Sequence, residues 1–445
     1  FGGYNAAYPA TFQVGAFFSN GGKELYVQRV LASDSVAAHI DVLTAGSAVV
    51  ARFTSKNAGT DGNKLRIVLA NGSVANTYNV YVYKESGVAN DIRDDILLER
   101  YENVTFGDAT TSDYAPIVIN TVSPNIFVSN TATGTPVITN PYPLTGGNNG
   151  TPVTATDYTD YKNGDSVFER FSTLDRPLVI FLPEVAGSAD DNSVFDAATS
   201  WASNNKSFVV IETPEDSPVS DAISFAASLT DTAYGAVYYP WAYIADPLGR
   251  GSGALRKVGP SGAIAGLFLA TDTSRGVFKA PAGIGTTVQG IVALEKSFTS
   301  AELDSMNAST SPVNPIRQIP GAGLSVMGAR TLKQDGTANK YVNMRRSLNY
   351  IEKELSNLTQ FAIFENNDEN LWARIRTVLN VFLNEYKNRG GLRGATANQA
   401  YFIKCDAENN TGTSIANGEV RIQVGVALQY PAEFIVIDLS QKSLV

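Results

Sequence analysis

Between residues 330 and 439 the chain carries two amphipathic segments in series, then two alternating apolar runs, and this order constrains the fold more than any other feature. In YVNMRRSLNYIEKELSNLTQF, Met344, Leu348, Ile351, Leu355 and Leu358 recur at spacings of three and four, which predicts a helix with one apolar stripe. In NLWARIRTVLNVFLNEYKNRGGL, Leu371, Ile375, Leu379, Phe382 and Tyr386 repeat the pattern, and Gly390 with Gly391 supplies a stop. VRIQVGVALQY and AEFIVIDL alternate instead and read as strands. Two helices followed by two strands form a compact α/β layer, with no chemistry-bearing motif inside it.

Upstream, residues 166–340 alternate between strand and helix. PLVIFLP, SFVVIETP and GAVYYPWAYIADP read as strands, with DNSVFDAATSWASNN and VSDAISFAASL as intervening helices. That order implies parallel pairing with helices on the sheet faces. SGAIAGLFLATD and TVQGIVALEKSF are expected to be helical, and short strands are expected around Gly321 and Gly323. From Val49 to Asp108 the period is two, with Val80 and Val82 on one side and Tyr81 and Tyr83 on the other, as in a β-sandwich or small barrel. Residues 32–48 read as a crossing linker, 25–30 as a strand and 109–165 as the end of the β domain plus long surface loops of low regularity.

Composition closes several function classes. The 445 residues suffice for two or more domains. Lys plus Arg number 34 against 43 for Asp plus Glu, a formal charge of -9, which argues against a general nucleic-acid binder. Cys405 is the one cysteine, so no disulfide forms within the chain, and a reducing compartment suits its assembly. No apolar stretch is long enough to cross a membrane as a helix. The chain opens at Phe1 without an initiator Met and reads as starting inside a domain.

The local motifs favour structure over chemistry. GPSGAIAGLF at 259–268 places glycines before a helix but lacks the Lys-Ser/Thr pair that grips nucleotide phosphates; Ser261 is expected to cap the helix and the small residues to allow close packing. GRGSG at 249–253 reads as a surface loop. His39, in the expected linker, and Cys405 have no partners at metal-ligand spacing. Asp190, Asp191, Glu212, Glu215 and Asp216 lie near strand ends and helix starts, where an acidic group complements the helix dipole. Arg345, Arg346, Arg374 and Arg376 make the two long helices basic on their non-core sides, which reads equally as a solvated face or as a docking face for an acidic neighbour.

Several separated blocks resemble the contractile tail sheath proteins of bacteriophages. They are FFSNGGKELYVQRV, then YYPWAYIADP with GPSGAIAGLFLATDTSRGVFKAPAG, then GARTL, NMRRSLNYIEKEL, NEYKNRGGLRGA and GVALQYPAEFIVIDLSQ. The resemblance implies an α/β (α+β) sheath core, a mixed sheet flanked by helices, with an inserted, mainly β outer domain. Its parts would be residues 1–31 (first part of the core), 32–165 (insertion), 166–340 (central α/β part) and 341–445 (C-terminal sheath domain). It further implies a mechanical, non-enzymatic subunit without cofactor, metal or direct nucleic-acid contact. Such a subunit forms hexameric rings stacked helically around a tail tube, with baseplate and tail terminator proteins as further partners. It is assembled in the bacterial host cytoplasm and resides in the virion tail; the sheath of a phage-tail-like injection particle or secretion system is the same machine in another setting, and a tail adhesin or carbohydrate-binding protein is the alternative of a different class. Arms from neighbouring subunits complete a small sheet, so Phe434, Ile435, Val436, Ile437, Asp438 and Leu439 are expected to form an inter-subunit strand. Arg345, Arg346, Arg374 and Arg376 are the candidates for tube or subunit docking.

Overall fold

A computed structural model describes residues 3–433 except 7, 87–93, 108, 130–133, 140, 161–165, 189, 190, 250, 252, 334 and 336. The chain divides into two compact units, one formed by Phe1–Val27 with Phe168–Val445 and one by Gln28–Val167.

The larger unit is built on a five-stranded mixed sheet. Val179–Phe181, Phe208–Glu212, Gly235–Tyr239 and Val313–Ile319 run parallel in that spatial order, and Gly323–Val326 returns antiparallel to the last. Every residue of Phe208–Glu212 and Gly235–Tyr239 is buried, as expected of central strands covered on both faces. Helices Asp191–Asn204 and Val219–Ser228 make the crossovers that parallel pairing requires. A third helix, Ser261–Arg275, lays Phe268 against Phe208 and Tyr238, with ring centroids 6.0 and 6.1 Å apart. The fold expected for the core, a mixed sheet flanked by helices, is the fold observed.

Below this layer the long helices Val342–Thr359 and Glu369–Asn388 pack together through the predicted stripes. Met344, Ile351, Leu371, Ile375, Leu379 and Tyr386 are buried, joined by Leu383, which is fully enclosed. Asp368 caps the second helix by accepting the Leu371 amide at 2.9 Å. Burying such a leucine stabilises the pair by about 2 kcal/mol.

Several expectations are corrected. Residues 25–30 form no ladder among the described residues. TVQGIVALEKSF is not helical; Ile291–Leu294 is a strand of a three-stranded antiparallel sheet with Ala242–Ala245 and Leu255–Val258. Gln423–Val426 is a strand, but its partner is Tyr401–Lys404, a run to which the sequence reading assigns no element. Residues 434–439 lie outside the described residues.

The smaller unit has two sheets. Ala37–Leu43, Val49–Ala58 and Ile126–Ser129 form one; Ile96–Val104, Tyr78–Lys84, Leu65–Asn71 and Tyr142–Pro143 form the other. One core cluster draws Val42, Phe53 and Val128 from the first and Ile67, Val80 and Val82 from the second, which is a sandwich. Residues 37–43 are therefore strand and not linker, and His39 sits exposed upon it. PIVIN belongs to the helix Ala115–Val122 rather than to a loop.

Candidate inter-subunit site

The glycine-rich helix Ser261–Arg275 has its N-terminus occupied from within. The Ser261 amide donates to Glu212 Oε2 at 3.2 Å, and the Ser261 hydroxyl donates to Gln13 Oε1 at 2.7 Å. Ser261 does not cap the helix with its side chain, contrary to expectation; Pro260 stands at the cap. The place a phosphate would take at a helix N-terminus is filled by the Glu212 carboxylate. Burial pushes the Glu212 carboxyl above its ordinary pKa, against the hydrogen bonds from Gln13 and Ser261. Gln13 belongs to the helix Ala10–Ser19, which lies so close that a methyl group on Gly262 would stand 2.4 Å from the Gln13 carbonyl oxygen. The close packing expected of these small residues is thus a helix–helix contact.

The other candidate groups are dispersed. Asp191 accepts the Gly187 amide at 2.8 Å. Glu215 and Asp216 share the Lys257 ammonium with Glu295. Cys405 is buried, its thiol pushed up by desolvation, and the Arg376 guanidinium donates to its carbonyl. Asp190, Arg250 and Ser252 lie outside the described residues. Among the described residues, no group of three His, Cys, Asp or Glu is placed to hold a metal ion. No described helix is long and apolar enough to cross a membrane.

The four arginines do not form one surface. Arg345 and Arg346 are buried, which corrects their placement on a non-core side. Arg346 makes a two-point pair with Asp272 of the glycine-rich helix and stacks over Phe268 at 4.8 Å. Arg345 donates to Asn349 at 2.9 Å and Glu352 at 3.2 Å and lies over Tyr234 at 4.9 Å. Both hold the C-terminal helix to the central layer. Arg376 is half-buried, while Arg374 is exposed and stacks on Phe361 at 4.5 Å.

The C-terminal layer also carries a two-stranded sheet. Among the described residues, Tyr401–Lys404 and Gln423–Val426 pair only with each other. Tyr401 anchors its strand through its hydroxyl, which donates to Asn380 Oδ1 at 2.7 Å, while Ile403, Val424 and Val426 pack on the helices. On the opposite face the Phe402 ring covers Gly425, where an added methyl would meet it at 2.1 Å. The Ala427 amide donates to the Ala400 carbonyl at 2.8 Å, and Arg393 donates to the Ala427 carbonyl at 2.8 Å. This register turns the amide and carbonyl groups of Val424 and Val426 to the outer edge, where they make no hydrogen bond among the described residues. The sequence reading assigned one of these strands and missed the other; the alternating YFIK after a turn was the available signal.

The comparisons with known proteins agree on one family. Residues 334–442 match the profile described as phage tail sheath C-terminal domain. The sheath complex of an extracellular contractile injection system, PVC, in its contracted state is similar at 30% identity and a TM-score of 0.51, over 59% of this chain and 70% of that one. The chain belongs to the contractile tail sheath family. The tail sheath protein of Vibrio phage KVP40 is 26% identical over 189 residues, 42% of this chain and 27% of that protein. The chain thus matches about a quarter of that relative's length. The sheath tail protein of Listeria innocua shares the fold of this sheath-family chain, with a TM-score of 0.63 at 14% identity over 91% of this chain and 82% of that one.

Proposed function

We propose that this chain is a structural, non-enzymatic subunit of a contractile tail sheath and that it polymerises by strand exchange. The observation that carries the reading is the edge at Val424 and Val426, which has no hydrogen-bond partner among the described residues, in a chain whose sequence continues into a strongly β-prone segment. An unpaired edge of this kind is an aggregation hazard in a free monomer but is satisfied when a neighbour adds a strand. Residues 434–439 are the segment given to a neighbour, and stacked hexameric rings around a tail tube are the assembly. Contraction needs no nucleotide: an extended array held by weaker contacts passes to one that gains interface per subunit. Arg374, exposed on the second long helix, is the cation proposed to meet the tube or an adjoining subunit.

The similarity to an injection-system sheath favours a second setting, a phage-tail-like particle, with the same assembly and the same mechanics.

Negative-stain electron microscopy of the full chain at rising concentration tests the reading. Six-fold rings or striated hollow cylinders are expected. Val426→Pro removes an outward amide and leaves the inner ladder, so that variant keeps its circular dichroism and forms no cylinders. A chain cut after residue 433 that still builds full sheaths would reject strand donation. Compact monomers at every concentration, with tube protein added, would reject the sheath itself.

A further inference from the structure

The main chain of Arg330 is fixed to the central sheet. Its amide donates to Asn314 Oδ1 at 2.8 Å and its carbonyl accepts from Asn314 Nδ2 at 2.8 Å. Asn314 lies buried in the strand Val313–Ile319 and also donates to the Val237 carbonyl at 2.9 Å, so two strands hold this point. The side chain then reaches outward. Nη1 donates to the Asn307 carbonyl at 2.7 Å, while Nε and Nη2 donate to the two carboxylate oxygens of Glu433 at 2.6 and 2.7 Å. The Tyr341 hydroxyl donates to the same carboxylate at 3.3 Å, and the Tyr341 ring meets Tyr430 edge-on at 6.3 Å.

Exposed ion pairs contribute little, but this one differs in two respects. It is a two-point guanidinium–carboxylate pair with side chains only 15% and 23% exposed. Its arginine is also held in place before Glu433 arrives, so little side-chain freedom is lost on pairing.

We propose that Arg330 and Glu433 form the anchor that ties the root of the C-terminal arm to the central sheet. This rests on the strand-exchange reading above and adds to it a point at which the chain is fastened ahead of the segment to be donated. Upstream of Glu433 the chain is held by the Leu392–Leu428 bridge and by Asn343, which donates to the Gln429 carbonyl at 3.2 Å. Those contacts lie in series, so tension along the arm would open them one at a time. A clasp at Glu433 carries that tension into Arg330, Asn314 and the buried strands before the ladder is loaded.

Hydrogen–deuterium exchange on the full-length free chain tests the anchor without requiring polymerisation. Arg330→Ala and Glu433→Ala are expected to speed exchange about tenfold across 427–433 while leaving 371–386 protected. Glu433→Ala lies at the outer side of the pair and leaves the contacts of the Arg330 main chain with Asn314 in place, so it reads out the clasp even where Arg330→Ala unfolds. The exchanged pair Arg330→Glu with Glu433→Arg is expected to bring the rate back toward wild type. Unchanged exchange in Glu433→Ala, or a double variant no better than its single parents, would overturn the anchor. In microscopy, wild-type cylinders with none from Glu433→Ala would support it. A wild type that never forms cylinders would refute the sheath reading alone, with the exchange rates still deciding the clasp.

Discussion

Gln13 and Glu212, 199 residues apart, meet in the core of the larger unit, where the Gln13 side-chain amide donates to both carboxylate oxygens at 2.9 and 3.0 Å. Glu212 sits at the end of a central strand and Gln13 on the first helix, so one buried polar contact fastens the N-terminal helix to the sheet. A buried carboxylate is tolerated only when its oxygens are satisfied, and Ser261 completes the set from the helix N-terminus.

The Glu212 pKa predicts a specific pH dependence. Burial raises it above the ordinary 4.5, so the folded chain holds this proton more tightly than the unfolded chain does. The associated stability is fully present below the unfolded pKa and declines as pH rises through the folded value. Glu212→Gln lacks this titration, so its Tm relative to wild type should improve as the pH rises above the ordinary carboxyl range. Parallel Tm curves would show that Glu212 titrates normally.

The helix contact predicts a steric cost. A methyl on Gly266 would stand 2.3 Å from the Phe17 carbonyl oxygen, so Gly266→Ala must push the two helices apart. The expected loss is about 1–3 kcal/mol in urea unfolding, despite alanine's better helix propensity. A gain in stability would mean that the first helix is not docked there in solution.

The arginines separate by burial. Arg346→Ala leaves Asp272 unpaired beside Phe268 and should cost about 3 kcal/mol. Arg374→Ala removes an exposed stacking contact and should cost under about 1 kcal/mol. Thermal unfolding of the two variants side by side checks the order; equal losses would contradict it.

Phe364 is fully exposed and adopts a left-handed backbone, with φ 65°. Phe364→Gly removes no packed surface and relieves the Cβ strain, partly offset by glycine's greater unfolded entropy. Stability in urea should stay within about 0.5 kcal/mol of wild type or rise. A loss above about 1 kcal/mol would show that the ring is packed in the free chain.

The stripes at 344–358 and 371–386 were legible because helix periodicity survives wherever one face is buried. The parallel core was legible because helices intervene between its apolar runs. Ile291–Leu294 was misread because a four-residue apolar run carries no period of its own. Residues 37–43 were misread as linker because alanines at Ala37 and Ala38 hide the alternation that burial of Ala38 and Val42 reveals.

Sequence alone determined the two long helices, the alternation that makes a mixed sheet, the β insertion and the family, since each is a local pattern or a sum of local motifs. Tertiary structure decided the rest. It buried Arg345 and Arg346, because the first turns of Val342–Thr359 are covered all round rather than on one stripe. It chose Tyr401–Lys404 as the partner of Gln423–Val426, because strand pairing is a contact between distant residues. It also joined Arg330 to Glu433, a pairing that depends on where a buried asparagine holds the main chain and leaves no trace in residue spacing.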